Sequence, residues 1–242
     1  PSHGIDFAMG IQSGSGNLGV FLAFISTGYL AQSFNWKVPL FVWAAVAFFL
    51  GSISFLTVRK TSTRGDEVPK PDFSSWMETL KNIKIYILGF VFGGACWGTT
   101  IFYAPSLLHH RFQIPFGQIG LYLALWIGVG TVMTYLFGFL SRHLGRLNIS
   151  VSAIIGATIF LFMLGIAPVK ELAMVSLFFF GAFLFLVYPS FQSFVGDEVS
   201  LKNQTQAFSL AANVQMVTGA IVALAAGFLS DRFGINSPFL LI

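Results

Sequence analysis

The sequence predicts an all-α, polytopic membrane helical bundle with about seven full spans and the start of an eighth. Three observations carry that expectation. Only 9% of the 242 residues are charged while 55% are hydrophobic, and the mean hydropathy is +0.79. A water-soluble domain carries roughly 25% charged residues, because its surface must be solvated. The charges also fall in clumps, leaving seven uncharged stretches at 7–36, 38–58, 85–110, 112–141, 147–169, 172–196 and 203–230. The shortest is 21 residues long, and crossing about 30 Å of hydrocarbon takes roughly 20 helical residues. Finally, runs such as LFFFGAFLFLV at 177–187 lack the alternation of a barrel strand, whereas a helix satisfies its own backbone in lipid. A cytosolic enzyme, a nucleic-acid binder and a disordered linker are excluded on the same grounds.

Taken in order, the first span (7–36) is rich in small residues at Gly10, Gly14, Gly16, Gly19 and Gly28. Its Gly14-Ser15-Gly16-Asn17-Leu18-Gly19 fits the dinucleotide fingerprint, but that motif needs a preceding strand and an acid about 20 residues on. Positions 7–36 carry no charge, so close helix packing is the reading. The second span opens near Pro39, where the first helical turn has no amide partner to lose. Segment 59–84 follows, hydrophilic and of mixed charge with Pro69 and Pro71. Within it Ser75-Trp76-Met77-Glu78 has capping-box spacing, and Trp76, Met77, Leu80 and Ile83 continue at helical intervals. A short interfacial helix feeding the next span is expected, with a disordered tether as the alternative.

The third span (85–110) holds Gly89-x-x-x-Gly93 and Gly94-x-x-x-Gly98, then Thr99, Tyr103, Ser106 and His110 on one helical face, with Pro105 among them. His109, His110 and Arg111 close it. Adjacent histidines point in different directions on a helix, so a metal is not expected, and polar capping is preferred to a pH-sensitive gate. The sixth span sets Tyr188 and Gln192 one turn apart beside Pro189. The seventh offers Gln206, Ser209 and Asn213, then Gly219, Ala223 and Gly227 at four-residue spacing. Small residues one turn apart let backbones approach closely. Gly28, Gly93, Gly94, Gly98, Pro105, Pro189 and Gly227 are therefore the hinge and packing candidates. Polar groups inside spans are costly unless they face protein or water, which makes Thr99, Tyr103, Ser106, Tyr188, Gln192 and Asn213 the site candidates. Tyr103 and Gln192 lead, and interhelical or backbone hydrogen bonds are the plainer alternative. Trp36 and Tyr86 read as interface anchors, and the lone Cys96 as a packing residue.

Basic residues set the threading. The loops at 59–84, 142–146 and 197–202 carry Arg59, Lys60, Arg64, Lys70, Lys81, Lys84, Arg142, Arg146 and Lys202. The opposite loops carry only Lys37, Arg111, Lys170 and Arg232. The richer set is expected in the cytoplasm, and with it the glycosylation sequons at Asn148 and Asn203. The pI of 9.4 then reports topology and anionic lipid contact, not nucleic acid.

Segments 28–39 (GYLAQSFNWKVP) and 227–238 (GFLSDRFGINSP) align without gaps at an offset of 199 residues. Gly28 matches Gly227, Leu30 Leu229, Phe34 Phe233 and Pro39 Pro238. Six spans separate the copies, which fits a parallel repeat of six-helix units with a site between two lobes.

At these residues the chain resembles the major facilitator superfamily of secondary transporters, from the loop before helix five (His3 to Gly10) to the start of helix twelve. The resemblance implies a truncated bundle: residues 1–58 as the end of the first lobe (helices five and six), 59–84 as the cytoplasmic central loop, and 85–242 as the second lobe. Helices one to four would precede it. It also implies a central cavity lined by helices seven and ten, hence by the polar candidates above. The family's loop motif between helices eight and nine, Gly-x-x-x-Asp-Arg-x-Gly-Arg, corresponds to Gly138-Phe139-Leu140-Ser141-Arg142-His143-Leu144-Gly145-Arg146. Gly138, Gly145 and Arg146 match, but Arg142 replaces the acid that helps latch the cytoplasmic face in the family. Asp231-Arg232 imitates the motif on the outer side and reads as a surface turn.

The implied function is secondary active transport of a small solute, an organic anion or a drug-like molecule, by alternating access, with a coupling ion as a further partner. No acid or base lies deep in a span to carry a proton. No catalytic residues, metal, cofactor or nucleic acid are expected. The protein is expected as a monomer among membrane lipids, in a plasma (bacterial inner) membrane. A channel or a transport-inactive sensor on the same fold is the alternative; saturable uptake against ohmic flux separates the first, and ligand stabilisation without flux the second.

Overall fold

A computed structural model describes residues 3–61 and 73–240. The proline-bearing part of the expected linker, with Pro69 and Pro71, lies outside the described residues. Among those described there are helices and no strand: α1 His3–Ser33, α2 Lys37–Thr61, α3 Phe73–Phe112, α4 Phe116–Leu144, α5 Arg146–Ile166, α6 Lys170–Glu198, α7 Leu201–Phe233 and α8 Ser237–Leu240. The first seven are long and apolar enough to cross a membrane. Each covers all or most of one of the seven uncharged stretches, because a charge clump is where a helix must leave the hydrocarbon.

Two sequence expectations are corrected. α3 starts at Phe73, so Ser75 already lies inside the helix, and the expected interfacial helix is the first turns of a continuous 40-residue α3. Nothing between Phe73 and Leu88 interrupts it, since no Gly or Pro occurs there. Asp231 and Arg232, expected in a turn, occupy the exposed last turn of α7.

The helix ends show why particular residues stand there. A single residue, Gly145, separates α4 from α5 at φ 83, ψ 138, and its amide donates to the Ser141 carbonyl at 3.0 Å. That backbone region is open essentially to glycine alone, so the motif glycine sets the sharp corner that makes Arg146 the first residue of α5. Gly234 does the same after α7 at φ 91. Before α2, the Asn35 side chain accepts the Lys37 amide at 2.9 Å. The two repeat copies thus share helix, short turn and proline-bearing helix start, with ends within a residue of the 199-residue offset.

The core lies between α3, α4, α5 and α6, around Trp126, Phe180, Leu177 and Leu164, all at or near zero exposure. α7 packs along α3, and α1 lies against α4 and α6. α2 touches α1, with no buried residue in its most apolar window. Phe41, Phe48, Ile53 and Phe228 are more than half exposed, which lipid tails solvate as readily as a protein core does.

Candidate functional site

A cavity of about 290 Å³ opens between α1, α3, α6 and α7. Ser13, Gly16, Asn17 and Val20 face it from α1, and Phe90, Gly93 and Trp97 from α3. α6 supplies Leu184, Phe185, Val187, Tyr188 and Pro189, and α7 supplies Ala212, Gln215 and Met216. Its surface is mostly carbon.

The wall is held rigid by aromatic packing. Trp97 meets Phe185 edge-on at 5.7 Å and 78°, and both rest on buried Trp126 at 5.4 Å. Trp126 stacks in turn on Phe180, and Phe90 meets Tyr188 edge-on at 5.6 Å. The break at Pro189 has a partner built for it. Proline has no amide hydrogen, so the carbonyl four residues back, that of Phe185, loses its helical donor. The Thr134 hydroxyl of α4 approaches that carbonyl at 3.0 Å and its own Gly130 carbonyl at 2.8 Å. The same hydroxyl accepts from Asn17 Nδ2 at 3.3 Å. One threonine therefore ties α1, α4 and α6 together beside the cavity.

Of the six polar candidates, Tyr188 lines the cavity. Gln192 sits one turn away, 3% exposed, with Oε1 at 3.5 Å from the Ser13 hydroxyl, a long and weak bond. The other four lie elsewhere. Thr99 is fully buried in α3, its hydroxyl without a partner among the described residues. Tyr103 donates to the Ala223 carbonyl at 2.8 Å, and its hydroxyl oxygen sits 2.9 Å from where a β-carbon on Gly227 would stand. Ser106 is half-buried and Asn213 exposed, neither in the lining. Of the small residues, Gly93 lines the cavity, while Gly94 and Gly98 abut the carbonyls of Gln215 and Gly219. Gly28 faces open space, and α3 runs unbroken through Pro105.

Sequence reasoning missed Ser13, Asn17 and Gln215. The rule that selected Gln192 applies equally to these polar residues inside spans, but Asn17 was absorbed into the glycine motif. The structure resolves that motif as helix: Gly14 packs on the Tyr135 ring and Gly16 faces the cavity.

Below the cavity α1 seats firmly on α4. Phe7 packs at Gly138, Gly10 at the Thr134 backbone, Gly14 at Tyr135 and Phe21 at Gly128. After Phe24, the described α1 residues are all partly or wholly exposed. An ion cluster finishes the seated end. Arg146 Nη2 lies 2.6 Å from Asp6 Oδ1 and Nη1 2.6 Å from Asp197 Oδ2. The Ser141 hydroxyl donates to Asp6 Oδ2 at 2.7 Å, and the guanidinium lies over the Phe194 ring at 5.1 Å. Asp6 is 3% exposed at its side chain, so these partners offset the cost of burying it. Arg142, at the family's acid position, is exposed with no ion pair among the described residues; the acids come from α1 and α6 instead.

At the opposite face Arg111 Nη1 donates to the Gly165 carbonyl at 2.8 Å, and His109 Nδ1 lies 3.0 Å from the Ile114 carbonyl. The first contact satisfies a carbonyl in the last turn of α5, and the second reaches a carbonyl of the loop between α3 and α4. Among the described residues no group of three or more His, Cys, Asp or Glu side chains is placed to hold a metal. Cys96 is buried in the core.

Membrane-length helices around a central cavity, clasped by ions at one face, define a class, the polytopic membrane transport proteins. The family model described as Major Facilitator Superfamily matches residues 1–223. The chain belongs to that superfamily and is a membrane transporter of its kind. A search of curated proteins found no match.

Proposed function

We propose that the protein is a secondary active transporter that moves a small solute, an organic anion or a drug-like molecule, by alternating access through the cavity between α1, α3, α6 and α7. Residues 1–58 act as part of one lobe and 85–242 as the other, joined by the 59–84 segment on the cytoplasmic side of a plasma membrane. The observation that carries the reading is the asymmetry of α1. It is seated on α4 and ion-paired through Asp6 and Arg146 at the basic face, and free of such contacts past Phe24. In this reading the conformer is closed to the cytoplasm, and parting Arg146 from Asp6 and Asp197 lets the cytoplasmic side open. Tyr188 and the Ser13–Gln192 pair then stand where solute crosses from one lobe to the other.

Reconstitution in liposomes tests it. Flux that saturates with solute and is accelerated by solute on the far side is expected. Flux that rises linearly with the gradient and follows voltage ohmically, as in a channel, would refute it.

A further inference from the structure

We propose that Asn17 is a positioning residue through which the first lobe governs the proline break in α6. By donating to Thr134, its amide reserves the Thr134 hydroxyl hydrogen for the Phe185 carbonyl. This rests on the reading of α1 and α4 as helices of different lobes that part during transport.

A single hydrogen decides the pairing. A hydroxyl donates one hydrogen and accepts at two lone pairs. Thr134 is fully buried, and three groups reach its oxygen: the Gly130 carbonyl at 2.8 Å, the Phe185 carbonyl at 3.0 Å and Asn17 Nδ2 at 3.3 Å. The Gly130 carbonyl already has a helical donor, the Thr134 backbone amide four residues on. The Phe185 carbonyl has none, because Pro189 stands four residues on. Phe185 is buried, and a buried carbonyl left unpaired carries its full desolvation cost. The hydroxyl hydrogen therefore stabilises most when it points at Phe185. Turned over, the Asn17 amide would accept that hydrogen through Oδ1 and compete with Phe185. With Nδ2 toward Thr134 it donates instead, and a hydroxyl that accepts one bond donates its own more strongly. Asn17 belongs to α1, whereas Thr134 and Phe185 belong to α4 and α6. When α1 leaves α4, this donor leaves with it. Phe185, Tyr188 and Pro189 all line the cavity, so the change is felt in its wall.

Melting temperatures of the purified full chain in detergent test each link. Asn17→Ala removes the amide and leaves the hydroxyl hydrogen to Phe185. Asn17→Asp puts a carboxylate there, which only accepts and draws that hydrogen into a short charge-assisted bond. Pro189→Ala restores the helical donor to Phe185, and the cost of placing a carboxylate at position 17 is common to both backgrounds. Asn17→Asp should therefore lose about 2–4 °C more in the native background than in Pro189→Ala, the shift of one buried hydrogen bond in a chain of this size. Asn17→Ala should lose nearly the same in both. Equal losses for Asn17→Asp in the two backgrounds overturn the proposal. If Pro189→Ala does not fold, Asn17→Ala combined with Thr134→Val carries the test. The double variant should lose less than the sum of the singles, and strict additivity overturns the proposal. In Arg146→Ala, which frees α1 from the ion cluster, the extra loss of Asn17→Asp should shrink, and an undiminished loss overturns the link to lobe movement. None of these measurements uses flux. Their failure leaves the transport reading standing, and a chain without saturable flux can still show the coupling of Asn17 to Pro189.

Discussion

Arg146 pairs with two acids at the basic face, and its surroundings rank the effects of changing it. Asp6, its inner partner, is 3% exposed, while Asp197 is 42% exposed. Removing one partner of a buried pair strands the other charge at about 3–5 kcal/mol, whereas an exposed pair contributes about 1 kcal/mol or less. Arg146→Ala should therefore lower the melting temperature most, Arg146→Lys less, and Asp197→Asn least. Lysine keeps the charge but loses the fork that grips two carboxylates at once. Fluorescence-monitored melting in detergent gives the order, and an Asp197→Asn variant as damaged as Arg146→Ala would contradict it. If Arg146 also latches the cytoplasmic side, Arg146→Ala raises the labelling of a cysteine placed at Ser13 by a membrane-impermeant thiol reagent supplied from that side. Unchanged labelling with reduced stability would leave the residue a structural role only.

At the scale of helices, two contacts set how the elements meet. Thr134 supplies the donor that Pro189 cannot, so Thr134→Val leaves the Phe185 carbonyl unpaired at a cost of about 1–3 kcal/mol. Interhelical hydrogen bonds within membranes average nearer 0.6 kcal/mol, which puts the expected loss at the low end, about 1 kcal/mol. In a Pro189→Ala background the helix regains its own donor, and the Thr134→Val penalty should shrink. Equal penalties in both backgrounds, measured as a double-mutant cycle, would disprove the link. The α3–α7 contact predicts a contrast between glycines. At Gly98 the Gly219 carbonyl occupies the space of a β-carbon, while Gly28 has nothing within 4 Å. Gly98→Ala should destabilise markedly, and Gly28→Ala should be neutral or stabilise by about 0.5–1 kcal/mol, the usual helical preference. Melting curves of the two variants decide it.

For the molecule as a whole, we propose that the face where Arg146 meets Asp6 and Asp197 lies in the cytoplasm, because the loops on that side carry most of the basic residues. With that face in the cytoplasm, the sequons at Asn148 and Asn203 escape modification in a glycosylating host, and a mobility shift at either would reverse the threading. The spans and the superfamily were legible in the chain before any contact was known, and Gly145 was legible as a motif residue though not as the corner it forms. The polar candidates were legible only as a set. Spacing alone ranked Thr99, Ser106 and Asn213 beside Tyr188, yet of these four only Tyr188 lines the cavity.

Bilayer thickness and the cost of burying charge act on one segment at a time, so composition and run length suffice to find spans and which loops share a face. Which side of a span looks inward is another matter. A helix that is apolar all round carries no stripe to mark its partner. Asp6 meets Ser141 across 135 residues, and Arg146 meets Asp197 across 51. Only the packing of α1 and α6 against α4 and the start of α5 brings those charges together, and only the meeting of α1, α3, α6 and α7 gives the cavity its lining.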